Sequence, residues 1–349
     1  MSLAFLITLV SLTLIYTFYM GFNDGASAVA STIATRAMRP RVAITLAAVT
    51  KFVTPLLLYL FINNLAVANT IQKELINMDI MRLDAPEVSY YFLFAGLLAT
   101  LIWSFFAYYR KLPNSGSHTL MGGLVGAAIA AFGVDVIQWD TVLFKVVLMA
   151  FLAPVLGLLV GYGFMRLFRK LAKRAPLFIN IILKNFQKVN VVILASSFAI
   201  NNVQKSLGVL LLIMSIGNIS SITGSSNDLF YLLLICGTML TAGMFFGGYR
   251  IIHTVGNKIF KLKPFHSVVA QIATGTIIYA SSIFGIPVST GQVVSSSIMG
   301  VGASERLSGV QWLTAKKIFI SWFITFPISS ALGAIIYFIT AIIKGVIIL

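Results

Sequence analysis

Long apolar runs interrupted by four short polar insertions set the pattern of this chain. Apolar runs occupy residues 3–20, 42–62, 92–109, 142–164, 229–246 and 318–339, each near the ~20 residues that a helix needs to cross a bilayer. Further apolar stretches at 121–132, 191–217, 268–284 and 287–301 bring the predicted crossings to ten. The polar insertions come as two pairs. Residues 21–31 read GFNDGASAVAS and residues 199–208 read AINNVQKSLG, offset by 178 positions from Asn23 to Asn201. Residues 113–126 read PNSGSHTLMGGLVG and residues 287–300 read PVSTGQVVSSSIMG, offset by 174 from Pro113 to Pro287. Nearly equal offsets predict an internal duplication, with a first repeat at 1–165 and a second at 191–349. Polar residues retained where lipid disfavours them predict a site at the interface of the two copies, as in secondary transporters.

Composition agrees. Hydrophobic residues make up 59% of the chain and charged residues 10%, with a mean hydropathy of +0.97. A soluble domain of this length could not cover itself with so few charges. The predicted fold class is an all-α polytopic membrane protein: an inverted-topology repeat with about 10–12 transmembrane helices and two re-entrant or broken-helix segments. The first run has no basic segment before it and leads directly into Asn23 and Asp24, so it reads as a span rather than a signal peptide. The lone cysteine, Cys236, falls in an apolar run, cannot form an intrachain disulfide, and reads as packing.

The net charge of +16 changes the picture only through its distribution. Arg36, Arg39 and Arg41 follow the first motif, Arg110 and Lys111 follow the third run, and seven basic residues crowd 166–190. Further groups lie at Arg250, Lys258, Lys261 and Lys263, and at Arg306, Lys316 and Lys317. Acids collect in other loops, at Glu74, Asp79, Asp84 and Glu87, then at Asp135, Asp140 and Asp228. This segregation follows the positive-inside rule and makes the basic loops cytoplasmic. No base-stacking module accompanies the charge, so nucleic acid is not an expected partner. Five crossings precede the basic linker at 166–190, and an odd number inverts the second repeat. The expected location is the cell membrane, multi-pass, with both termini extracellular and the central linker cytoplasmic. That linker reads either as an amphipathic helix on the membrane surface or as a solvated connector.

Four motifs carry candidate chemistry. Asp24 is the only carboxylate that falls within a predicted span, and an intramembrane acid calls for a cation or a proton. Asn23 adds a carbonyl, and Gly21 and Gly25 would let the backbone unwind and contribute more. Asn23, Asp24, Asn201 and Asn202 are thus the candidate groups for sodium or proton coupling. Gln204 and Lys205 hold the corresponding place in the second half; Lys205 can pair with Asp24, attract an anion, or snorkel from a helix end. The proline motifs start helices with Ser115, Gly116, Ser117 and Thr119 in one copy and Ser289, Thr290 and Gly291 in the other. A helix start offers free N–H groups and the positive end of the helix dipole, which suits an oxyanion, although Ser and Thr also cap helices without binding anything. His118 reads as a hydrogen-bonded positioning group rather than a proton relay, and Gln292 stands at its place in the second copy. The candidate substrate ligands are therefore Asn23, Ser115, Gly116, Ser117, His118, Thr119, Asn201, Gln204, Lys205, Ser289, Thr290, Gly291 and Gln292. No resident cofactor is expected beyond a bound sodium ion.

Gly21-x-Asn23-Asp24, the stretch from Ser31 to Met38, Pro113-x-Ser115-x-Ser117-His118, Asn201-Asn202-x-Gln204-Lys205 and Pro287-Val288-Ser289-Thr290 resemble the motifs of the inorganic phosphate transporter (PiT) family. The resemblance covers essentially the whole chain. It implies an inverted-repeat carrier, a homodimer, that moves inorganic phosphate with sodium or protons. Three positions depart from the family pattern. Asn202 replaces a second aspartate, Gly291 and Gln292 replace Thr-His, and Ser27 replaces an asparagine. Losing one buried acid implies fewer coupled cations per anion, with Asp24 as the remaining coupling acid. A sulfate permease of the same family is the alternative. An intramembrane enzyme lacks a paired acid or an oriented nucleophile, a channel fits inverted motifs less well, and no nucleotide-binding motif supports ATP coupling.

Overall fold

The computed structural model describes residues 3–62, 65–77, 81, 86–174, 179–217, 226–247 and 259–345. Ten helices of sixteen residues or more account for most of them: α1 Leu3–Ala34, α2 Pro40–Leu57, α3 Pro86–Tyr109, α4 Gly116–Phe132, α5 Met149–Leu171, α6 Ile179–Ile216, α7 Ser226–Phe246, α8 Pro264–Ile283, α9 Thr290–Glu305 and α10 Trp312–Lys344. Seven of these are long and apolar enough to span a membrane, some with their flanking turns. Leu, Ile and Phe side chains such as Phe105, Phe144, Phe246, Phe338 and Ile343 cover the outside. In a lipid-facing protein such residues need no aqueous shielding.

The two helices that follow the proline motifs differ from the rest. α4 has 17 residues and α9 has 16, which at ~1.5 Å per residue is short of the ~30 Å hydrocarbon core. In α4 the residues from Gly116 to Ala128 are buried, and in α9 those from Thr290 to Ala303 except Gly291. They are the two broken-helix segments, enclosed by neighbouring helices over most of their length.

Their enclosure comes from an exchange between the halves. α4, of the first half, packs against α3 and most extensively against α10, the last long helix of the second half. α9, of the second half, packs against α8 and most extensively against α5, the last long helix of the first. The long motif helices cross over likewise, α1 onto α7 and α6 onto α2. Close approach needs small residues at matching places. A Cβ on Gly126 of α4 would lie 1.9 Å from the Ser330 carbonyl oxygen of α10. A Cβ on Gly300 of α9 would lie 2.1 Å from the Leu158 carbonyl oxygen of α5. The glycines are 174 positions apart, the offset of the proline motifs themselves.

The helix that lends itself to α9 is fastened at both ends. Just before α5, Lys145 pairs with Glu74 at 2.5 Å, and Thr70, at the other end of the short helical segment Thr70–Glu74, donates to the Gly285 carbonyl at 2.8 Å. Near the end of α5, Arg169 pairs with Glu305 of α9 at 2.6 Å.

The structure corrects two sequence expectations. α1 runs unbroken through Gly21–Gly25, so no backbone unwinds beside Asp24. Gly21 is small because a Cβ there would lie 2.0 Å from the Leu240 carbonyl of α7; its role is helix packing. α6 is equally continuous through Asn201–Gly208. The basic stretch 166–190 is also not a separate amphipathic element among the described residues. α5 extends to Leu171, a tight turn follows at Ala172–Arg174, and from Ile179 the chain is already α6. Asp79, Asp84, Arg250, His253 and Lys258 lie outside the described residues.

Candidate functional site

The four polar motifs, far apart in sequence, meet inside the protein. α1 brings Asp24, α6 brings Asn202 and Lys205, and the starts of α4 and α9 bring Ser117 and Thr290. Asp24 is buried, and three donors hold its carboxylate. Asn23 Nδ2 donates to Oδ1 at 3.1 Å, while Asn202 Nδ2 at 3.0 Å and Thr290 Oγ1 at 2.5 Å share Oδ2. Hydrogen bonds to an ionised acceptor are shorter and stronger than neutral ones, so this carboxylate is an organising centre. Two of its three donors come from the opposite half.

Lys205 is fully buried and reaches Asp24 only through Asn202. Its ammonium donates to Asn202 Oδ1 at 3.0 Å and to the Val288 carbonyl at 2.9 Å. The same Val288 carbonyl accepts from Ser117 Oγ at 2.8 Å. The start of α4 is therefore tied directly to the loop that opens α9. Ser115 caps α4, accepting from the His118 N–H at 3.3 Å, and Thr119 bonds to Asn114 Oδ1 at 3.0 Å and to the Ser115 carbonyl at 2.8 Å. Tyr16 Oη donates to the Gly116 carbonyl at 3.3 Å. At α9 the N-cap Ser289 makes no side-chain cap bond, so N–H groups of the first turn stay available to an anion, and the Thr290 hydroxyl is directed to Asp24 instead.

Two contacts join residues at equivalent places in the two copies. Asp24 and Asn202 are 178 positions apart and share a hydrogen bond. His118 and Gln292 are 174 apart, and their side-chain nitrogens lie 3.4 Å from each other. Both halves thus contribute side chains to the polar centre.

Other expected ligands are placed differently. Gln204 turns away, and its oxygen accepts from the Val67 N–H at 2.9 Å, which caps the short helix Ala66–Asn69. Asn201 donates to Ser282 Oγ at 3.0 Å, while its own buried oxygen and that of Gln292 have no partner. Gly291 has open space where a Cβ would stand. Cys236 is a free, buried thiol packed in the apolar core. Tyr16 and Lys51 lie outside the four polar motifs. Lys51 is the only charged residue in the apolar run 42–62, and that isolation is the signal that could have found it.

The chain resembles known proteins over nearly its whole length. It matches the profile of the Phosphate transporter family twice, over residues 20–191 and 177–333. A probable low-affinity inorganic phosphate transporter of Bacillus subtilis is 36% identical over 337 residues, covering 95% of this chain and 96% of that protein. A protein of the same description from Mycobacterium leprae is 32% identical over 346 residues, covering 99% of this chain and 80% of its own length. A solved structure described as the sodium-dependent phosphate transporter is similar in fold, with a TM-score of 0.82 at 24% identity, covering 98% of this chain and 100% of that one.

Proposed function

The chain belongs to the phosphate transporter family, and from that premise we propose that it imports inorganic phosphate across the cell membrane as a sodium or proton symporter working by alternating access. The observation that carries this reading is the shared polar centre, where Asp24 of one half is held by Asn202 and Thr290 of the other. A site built from both halves is what a carrier needs to present one ligand set to either side in turn.

In this reading Lys205 supplies positive charge, and Ser117, Thr290 and the first-turn N–H groups of α4 and α9 supply donors to the oxyanion. His118 and Gln292 position the two helix starts against each other. Asp24 is the coupling acid, whose charge calls for a mobile cation or proton when its donors turn to the anion. Asn23, bonded to Asp24, offers a carbonyl oxygen that can help hold sodium. Inversion of the two halves, both termini outside and cytoplasmic basic loops follow from the charge distribution. A homodimer follows from the family resemblance.

The test is uptake of labelled phosphate into proteoliposomes with sodium and proton gradients imposed separately. Competition that is complete with unlabelled phosphate and absent with sulfate supports phosphate; the reverse would transfer the reading to sulfate. Asp24→Asn is expected to abolish gradient-driven accumulation. Undiminished accumulation by that variant would remove Asp24 from the coupling role.

A further inference from the structure

Lys51 lies on α2 and is fully buried. Its ammonium nitrogen has no hydrogen-bond partner. What faces it is the ring of Phe198, with the centroid 5.6 Å away. Phe198 is on α6, one turn before Asn201 and Asn202, so Lys51 borders the polar centre from the α2 side, within electrostatic reach of Asp24. Of the helices packed against α2, α1 brings Asp24 and α6 brings Lys205, while α7 carries no charge beyond Asp228 in its first turn.

Packing alone does not account for this lysine. A methionine of similar length would fill the space without burying a polar end that lacks an acceptor, an arrangement native structures avoid. An ionisable residue inside a membrane protein marks function by default. Phe198 offers a cation–π contact, within the ~6 Å range of that interaction. It holds an ammonium loosely and leaves its protons free for another acceptor. Lys205, by contrast, is already engaged by Asn202 and Val288.

Charge arithmetic points the same way. Among the described residues the buried acids and amines are Asp24, Lys51 and Lys205; with both lysines protonated, one negative group stands against two positive. Dihydrogen phosphate, a monoanion, would bring that centre to neutrality with no mobile cation. Hydrogen phosphate, a dianion, would need one. We propose that Lys51 is a resident countercharge of the transport site, a tethered ammonium that stands in for one mobile cation when the oxyanion binds. The proposal rests on the phosphate reading above and assigns to this residue a part of the charge balance.

The experiment compares wild type with Lys51→Met and Lys51→Arg in proteoliposomes, recording phosphate KM, maximal rate and charge moved per phosphate across a range of sodium and proton concentrations. Absence of phosphate uptake by the wild type would refute the transport reading itself, apart from anything about Lys51. Given an active wild type, Lys51→Met is expected to raise KM at least about tenfold and to move one more cation per phosphate, with sodium or protons restoring uptake. Lys51→Arg should keep the wild-type charge ratio. A Lys51→Met protein with unchanged KM and charge ratio would overturn the proposal. If Lys51→Met is folded but inactive under all conditions, Lys51→Arg decides: activity with the wild-type charge ratio supports a charge role, and inactivity overturns it in favour of shape.

Discussion

Asn202→Asp tests the logic of the shared centre most directly. The substitution keeps the shape of the side chain and replaces its NH₂ donor by a second oxygen. Asn202 Nδ2 lies 3.0 Å from Asp24 Oδ2, and Asn202 Oδ1 lies 3.0 Å from the Lys205 ammonium. A new carboxylate would therefore stand about 3 Å from a like charge and about 3 Å from an opposite one. At an effective dielectric near 20 each of these interactions is roughly 5 kcal/mol, and the two nearly cancel. Two costs remain without an offset. The hydrogen bond to the charged carboxylate is lost, about 1.5–3 kcal/mol, and one more charge is buried, which costs several kcal/mol more. A proton or sodium ion taken up between the two carboxylates relieves both, as when paired acids at this distance share one proton. The expected result in proteoliposomes is uptake with a steeper requirement for sodium or acid, and one more positive charge entering per phosphate than in wild type. An unchanged charge ratio, with the same response to both gradients, would show that this position does not set the coupling.

Two further predictions use other contacts. Thr290→Val removes the hydroxyl that holds Asp24 at 2.5 Å, a charge-assisted bond of about 1.5–3 kcal/mol, and uptake should fall roughly tenfold or more while Thr290→Ser stays near wild type; equal behaviour of the two would exclude the hydroxyl. Gly126→Ala and Gly300→Ala drive a methyl into a carbonyl of the exchanged helix. Each should lower stability in detergent by about 1–3 kcal/mol, read by thermal unfolding, whereas Gly163→Ala, with nothing within 4 Å, should stay within about 0.5 kcal/mol.

What could be read from the chain was what local chemistry decides. Pro113 and Pro287 each stand two residues before the serine at a helix N-cap, and α4 and α9 begin within three residues of them. The common offset of the motifs survives in space as the Asp24–Asn202 and His118–Gln292 contacts. The misreadings came from partners distant in sequence. Gly21 carries the same local signature whether it loosens a helix or admits a neighbour, and only Leu240, more than two hundred residues on, decides for packing. Gln204 sits among motif residues, yet the Val67 N–H claims its oxygen. Lys51 was visible as an isolated charge, but nothing local says which way an amphipathic stem will point.

The exchange of α5 and α10 bears on how the protein is made. α4 is synthesised long before α10, yet its Gly126 face and its polar start are covered only when that last long helix arrives. Until then the nascent first half must hold a short, polar-tipped helix in the bilayer without its main neighbour. Biogenesis can therefore close only after nearly the whole polypeptide has been inserted. A truncation before residue 312 removes more than a terminal span, since it takes away the wall against which α4 of the first half packs. Two fragments divided near residue 175 would each be incomplete alone and complete only when produced together.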